Sequence, residues 1–103
     1  MRALQVAPAR DGTSFRSSEP MSTDKIFEAL ASSPRRQILA YLSEQELPAG
    51  DIAARFEMSA PAVSRHLAVL ENAGLIRREV RGRTHLCHLA PGPLASAHEW
   101  LSF

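Results

Sequence analysis

No stretch of this chain is as fully punctuated as residues 59–76. The Ser59 hydroxyl can cap a helix, and Pro61 falls in the first turn, where a missing N–H removes no intrahelical bond. Val63, Leu67 and Leu70 then recur at spacings of four and three, which makes one apolar face. Gly74 supplies the left-handed residue that ends the helix. A helix bounded this way leaves Ala60, Ala62, Ser64, Arg65 and His66 on its outer face or edges, gathered towards its N-terminal end. Directly afterwards the period changes. Residues 75–80 and 84–89 read as two strands around Arg81-Gly82-Arg83, with Ile76, Val80, Leu86 and His88 expected to face the core.

Three shorter helices are expected upstream. Order should begin at Ser22 or Thr23, either of which can cap a helix with the apolar face Ile26, Phe27 and Leu30 and with Asp24 in its first turn. Ser33 is the expected cap of the next helix and Pro34 its first residue, with Ile38, Leu39 and Leu42 facing inward and Tyr41 alongside. Pro48 and Asp51 open a third helix over Ile52–Phe56, separated by a turn at Glu57-Met58-Ser59 from the helix that Ser59 caps. After the hairpin, Pro91-Gly92-Pro93 breaks the sheet, and Leu94 begins a last helical piece carrying Trp100 and Leu101 up to Phe103. The expected fold class is therefore mainly α with a small β-hairpin wing (α+β), in the element order of a winged helix-turn-helix.

Length and composition agree with this. At 103 residues, 45% apolar and only 6% aromatic, the chain suits one Ala- and Leu-rich helical core rather than a β-sandwich. Residues 1–21 hold Pro8, Gly12 and Pro20 without periodicity and read as a disordered tail, with a DNA-reaching arm through Arg2, Arg10 and Arg16 as the alternative. The folded unit is expected over 22–103. Neither a signal-peptide pattern nor an apolar run of membrane-spanning length is present, so a cytoplasmic location without membrane contact is expected. Cys87 is the single cysteine, which leaves no internal disulfide.

Charge separates along the sequence. Residues 21–58 carry a net −2, whereas residues 59–90 carry five arginines against two glutamates, a net +3. A basic second half suits a polyanion, although a solvated basic face would have the same composition. The chemistry at the start of the fourth helix sharpens this. Small residues at Ala60 and Ala62 permit close approach to base edges, and Arg65 can fork onto guanine O6 and N7. Ser59 and Ser64 can hydrogen-bond phosphates at the positive end of the helix dipole. Arg81 and Arg83 at the hairpin tip can lie over a phosphate strand or the adjacent minor groove. An exposed hairpin can also carry charge simply to discourage edge pairing.

Two segments carry a family resemblance. The run Ala29-Leu30-Ala31-Ser32-Ser33-Pro34-Arg35-Arg36-Gln37-Ile38-Leu39 is similar to an L-x-x-x-x-R-x-x-I-L motif. Residues 60–76, with the pattern V-S-x-H-L-x-x-L-x-x-A-G-L, resemble a recognition helix and its turn into a wing. Both resemble the ArsR-type repressors, including their metal-independent autorepressor branch, over about residues 22–90. The resemblance implies a homodimeric repressor of its own or a neighbouring operon, bound to a palindromic double-stranded DNA operator and released by a signal. Carried onto this chain, Ser59, Ala60, Ala62, Ser64, Arg65 and His66 would meet DNA, with Arg81 and Arg83 on the wing. Ile26, Phe27, Leu30, Trp100 and Leu101 would form the dimer face.

Departures from the family narrow the sensing chemistry. Metal-sensing members place a Cys-x-Cys pair where this chain has Glu46-Leu47-Pro48-Ala49-Gly50-Asp51, and its last helix offers only the adjacent His98 and Glu99. His85 and Cys87 share one strand face while His88 points to the other, so a zinc site would need a second chain to complete it. The expectation is no metal and no cofactor, with a metal- or redox-responsive sensor using His85, Cys87 and His98 kept as the alternative. Cys87 can also pair with its mate across a dimer or simply be buried. The family's long final helix is cut short here, which points to a weaker or rearranged dimer. No Gly-rich phosphate loop, nucleophile elbow or carboxylate pair near a histidine is present, and the expectation is that the chain is not an enzyme. A winged-helix protein-interaction module without DNA binding is the remaining alternative; it would be expected to carry acidic or apolar residues where Arg65, Arg81 and Arg83 stand.

Overall fold

The computed structural model describes residues 23–102. The expected tail over 1–21, the capping candidate Ser22 and the terminal Phe103 lie outside the described residues. The element order is α1 (Thr23–Leu30), α2 (Ser33–Glu44), β1 (Leu47–Pro48), α3 (Ala49–Ala53), α4 (Ala60–Asn72), β2 (Ile76–Arg81), β3 (Thr84–Leu89) and α5 (Gly92–Leu101). Three helices, a turn, a fourth helix and a hairpin make this a winged helix-turn-helix.

α4 forms as its sequence dictates. The Ser59 side chain accepts from the Ala62 N–H at 3.2 Å, and Pro61 sits in the first turn. At the far end Gly74 takes φ 77. Its N–H bonds the Glu71 carbonyl and the Leu75 N–H bonds the Leu70 carbonyl, both at 2.9 Å. These paired bonds satisfy carbonyls that the last turn would otherwise leave open. Val63, Leu67 and Leu70 are buried along one stripe and meet Ile38, Leu42, Ile52, Leu75, Ile76 and Cys87 in the core. Burying one such aliphatic side chain stabilises the fold by about 1.5–3 kcal/mol before ordering entropy is set against it.

The helix before it departs from expectation in its cap. Ser32, not Ser33, caps α2, its hydroxyl accepting from the Arg35 N–H at 3.4 Å, and Pro34 is then the second residue of the helix. The third helix is earlier than Ile52–Phe56. It begins immediately after Pro48, and bonds from Arg55 N to Ile52 O and from Phe56 N to Ala53 O tighten its end into a turn. Phe56 is drawn onto Tyr41 of α2, ring centroids 6.1 Å apart and edge to face. Arg55 stacks its guanidinium 4.7 Å from the same ring. The long turn into α4 is thereby pinned to α2 by an aromatic pair and a cation–π contact.

The sheet has three strands in the order β1–β3–β2, where two were expected. Leu47 opposes Cys87 and Pro48 opposes Leu86, and a proline is tolerated there because β1 is an edge. In the hairpin, Ile76 opposes Leu89, Arg78 opposes Cys87 and Arg81 opposes Thr84. The two-residue turn is Gly82-Arg83, with Gly82 at φ 64 as a hairpin of this length favours. This register turns Cys87 fully into the core, while Leu86 and His88 lie only half-buried on the other face. Val80 shares a face with Ile76 but stands beyond the core near the tip, and it is exposed. The inward set is therefore Ile76 and Cys87, not Val80, Leu86 and His88.

Candidate nucleic-acid interface

The N-terminal half of α4 presents Ser59, Ala60, Ser64 and Arg65 to solvent, with Ala62 half-buried between them. The surface follows from the helical period: Val63 and Leu67 fix the inward stripe, and Ser64 and Arg65 are carried round to the other side. The Ser59 hydroxyl oxygen already serves the cap, and its proton remains a donor. What the arrangement offers is a small, uncrowded helix end bearing one extended guanidinium.

His66 is placed differently from its neighbours. Half-buried, it turns towards α2, where its Nδ1 lies 3.2 Å from Arg35 Nη1. Burial lowers its pKa below the usual histidine value, and the positive fields of Arg35 and Arg65 push it in the same direction. Both effects favour the neutral imidazole over the charged one. Arg35 also donates from Nε to the Ala29 carbonyl at 2.8 Å and from Nη2 to the Glu28 carbonyl at 3.0 Å. Arg36 donates to the Leu30 carbonyl at 2.8 Å. The open carbonyl end of α1 is thus closed by two guanidinium groups, a favourable use of cations at a helix C-terminus. No local signal links residues 35 and 66.

On the wing the two expected arginines part company. Arg81 is the last residue of β2 and forms an ion pair with Glu79, Nε to Oε2, at 2.9 Å. Glu79 also meets His88 Nε2 at 2.8 Å, and His88 Nδ1 lies 3.5 Å from Glu46. The bond from Arg81, followed by that from His88, holds the Glu79 carboxyl below the usual carboxylate range. Arg83 stands exposed in the turn. With Arg78, Thr84 and His85 it lines an open groove against the Pro48–Gly50 segment. Arg77, absent from the expected contacts, is exposed on the outward face of β2. Strand alternation could have found the Glu79–Arg81 pair, since residues two apart share a face.

The other expected groups separate. Ile26 is buried within the protomer at 2% exposure. Leu30 packs partly against the core. Phe27 meets Trp100 edge to face with centroids 6.4 Å apart, and Trp100 and Leu101 remain exposed at 48% and 67%. His85 and His98 are exposed, whereas Cys87 is buried and its thiol is pushed up by that burial. Among the described residues, no group of three or more His, Cys, Asp or Glu is placed to hold a metal ion.

Residues 32–78 match the bacterial regulatory protein, arsR family. The transcriptional repressor SdpR of Bacillus subtilis is 32% identical over 78 residues, covering 76% of this chain and 87% of SdpR. The chain belongs to the ArsR family. The HTH-type transcriptional regulator Rv2034 of Mycobacterium tuberculosis is 37% identical over 75 residues, covering 73% of this ArsR-family chain and 70% of Rv2034. Among solved structures, the ArsR family transcriptional regulator RHA00566 superposes with a TM-score of 0.74 at 33% identity, over 77% of this chain and 87% of that one. Within the ArsR-family frame, α4 occupies the recognition-helix position and the β2–β3 hairpin is the wing. No described helix is long and apolar enough to cross a membrane.

Proposed function

We propose that the chain is a sequence-specific DNA-binding transcriptional repressor that acts as a homodimer on an inverted-repeat operator. The observation that carries this reading is the exposed Ser64–Arg65 face on the first turns of a fully capped α4, in an ArsR-family chain. α4 enters the major groove with Ser59, Ala60, Ala62, Ser64, Arg65 and His66 towards the duplex. Arg65 forks onto a guanine, a contact worth about 1–3 kcal/mol of discrimination between bases. Ser59 and Ser64 hold phosphates and fix the register of the helix on the duplex.

The wing lies along a phosphate strand. Arg83 makes the main ionic contact there, because the charge of Arg81 is largely answered by Glu79. The exposed Trp100 and Leu101, with Phe27 beside them, form the face on which a second copy docks. Large apolar side chains left at the surface of so small a domain favour such pairing. The function proposed is binding and regulation in the cytoplasm, without a catalytic step.

A protection footprint on the DNA upstream of the protein's own coding region tests this. The expected result is two protected half-sites of inverted sequence about one helical turn apart, with two chains bound per duplex. A Trp100→Ala variant should need a higher protein concentration for the same footprint. A single protected half-site with one chain bound would contradict the dimeric reading, and no protection on any duplex would contradict DNA binding.

A further inference from the structure

The recognition helix carries a histidine whose chemistry is set from another helix. Arg35 lies in the first turn of α2, and each of its three guanidinium nitrogens has a partner on another helix. Nε and Nη2 donate to the Ala29 and Glu28 carbonyls at the end of α1, and Nη1 faces Nδ1 of His66 on α4. Two carbonyl oxygens with the partial negative charge of a helix C-terminus hold the planar group in place, so it cannot swing to follow the imidazole. A guanidinium has only N–H groups to offer, so the imidazole nitrogen facing it must present a lone pair. That leaves Nε2 as the one ring N–H of the neutral imidazole.

We propose that Arg35 is a positioning residue for DNA reading: it locks His66 in the Nε2–H form, so that His66 meets the duplex as a donor and selects an acceptor there. The acceptors a major groove offers are purine N7, guanine O6 and thymine O4, beside phosphate oxygens. The exocyclic amines of adenine and cytosine are refused. This inference rests on the DNA-binding reading above and adds to it a residue that need not touch DNA. The charged groups whose fields reach the imidazole are Arg35 of α2 and Arg65 of its own helix. Both are cations, and both oppose the doubly protonated ring that would break the Arg35 contact.

The first test is the nitrogen-15 spectrum of the His66 ring in the wild-type protein, which requires no variant to fold. The expected spectrum shows Nδ1 unprotonated and Nε2 protonated at pH 7, with a titration midpoint below about 6.5. A ring protonated at Nδ1 overturns the proposal. In Arg35→Gln the ring should become a tautomer mixture and its midpoint should rise. Arg36→Gln removes a bond to the same helix end without touching the imidazole and should leave the His66 spectrum as in wild type. If Arg36→Gln moves the ring as far as Arg35→Gln does, the effect is a general loosening of the helix end and the proposal fails.

Binding supplies the second readout. Against its preferred duplex, His66→Ala and Arg35→Gln should each weaken affinity about tenfold. The double variant should lose no more than the weaker-binding single, because both remove one contact. Additive losses, or full affinity in His66→Ala, overturn this inference while the DNA-binding reading stands. A wild-type protein with no preference among duplexes overturns both.

Discussion

Arg81 turns its guanidinium back onto Glu79, with Nε 2.9 Å from Oε2 and Nη2 3.3 Å from Oε1, across two residues on one face of β2. The wing therefore carries less usable positive charge than its arginine count suggests. Removing the carboxylate should release it. Glu79→Gln is expected to tighten DNA binding and to steepen the dependence of log affinity on log salt by about one. A titration over a salt series measures this, and an unchanged slope would show that Arg81 does not reach phosphate even when unpaired.

The same pair has a pH signature. Glu79 is held below the ordinary glutamate value of about 4.3 in the folded chain. Whatever stability the pair contributes is present above that value and is lost as pH falls through the folded pKa. The Glu79 carboxyl followed by NMR should titrate below its ordinary range in the wild type and return towards it in Arg81→Gln. A midpoint unmoved by that substitution would contradict the ion pair.

Gly74 joins the recognition helix to the wing at φ 77. Alanine there must adopt a left-handed backbone, which costs about 1–2 kcal/mol, partly offset by a stiffer unfolded chain. Gly74→Ala should lower stability by about 1 kcal/mol net, read from the urea midpoint. Equal or greater stability would mean that the turn adopts another geometry.

Cys87 opposes Arg78 on β2 and Leu47 on β1 in the middle strand of the sheet, and it is fully buried. Burial raises its thiol pKa, so reaction with iodoacetamide should be slow in native buffer and should rise with urea in step with unfolding. Labelling at the rate of a free thiol in native buffer would favour the redox-responsive alternative.

How much of this could be read from the sequence differs by element. α4 was legible because Ser59, Pro61 and Gly74 mark it independently of what it packs on. The α2 cap falls one residue before the expected Ser33, because two serines precede Pro34 and only the backbone at Ser32, extended at φ −113 and ψ 129, decides between them. β1 escaped because two residues have no period, and Leu47-Pro48 becomes a strand only when β3 arrives beside it. The inward face of β3 is the opposite of the expected one, because Leu86 and Leu89 have opposite parity and the register that decides between them is set across the hairpin by pairs such as Ile76–Leu89. At the site, helical period alone placed Ser64 and Arg65 outward. It could not show that His66 belongs to Arg35, a partner 31 residues away on another helix, or that Ile26 packs within its own protomer.

Sequence reading by α4 is tested by fluorescence-anisotropy titration of DNA from just upstream of the coding region against a scrambled duplex, with Arg65→Ala in parallel. Wild type should prefer the upstream DNA by about a thousandfold. Arg65→Ala should lose much of that preference while binding scrambled duplex nearly as well as wild type does. Equal binding of both duplexes by the wild-type protein, or a preference that survives Arg65→Ala intact, would contradict sequence reading by α4.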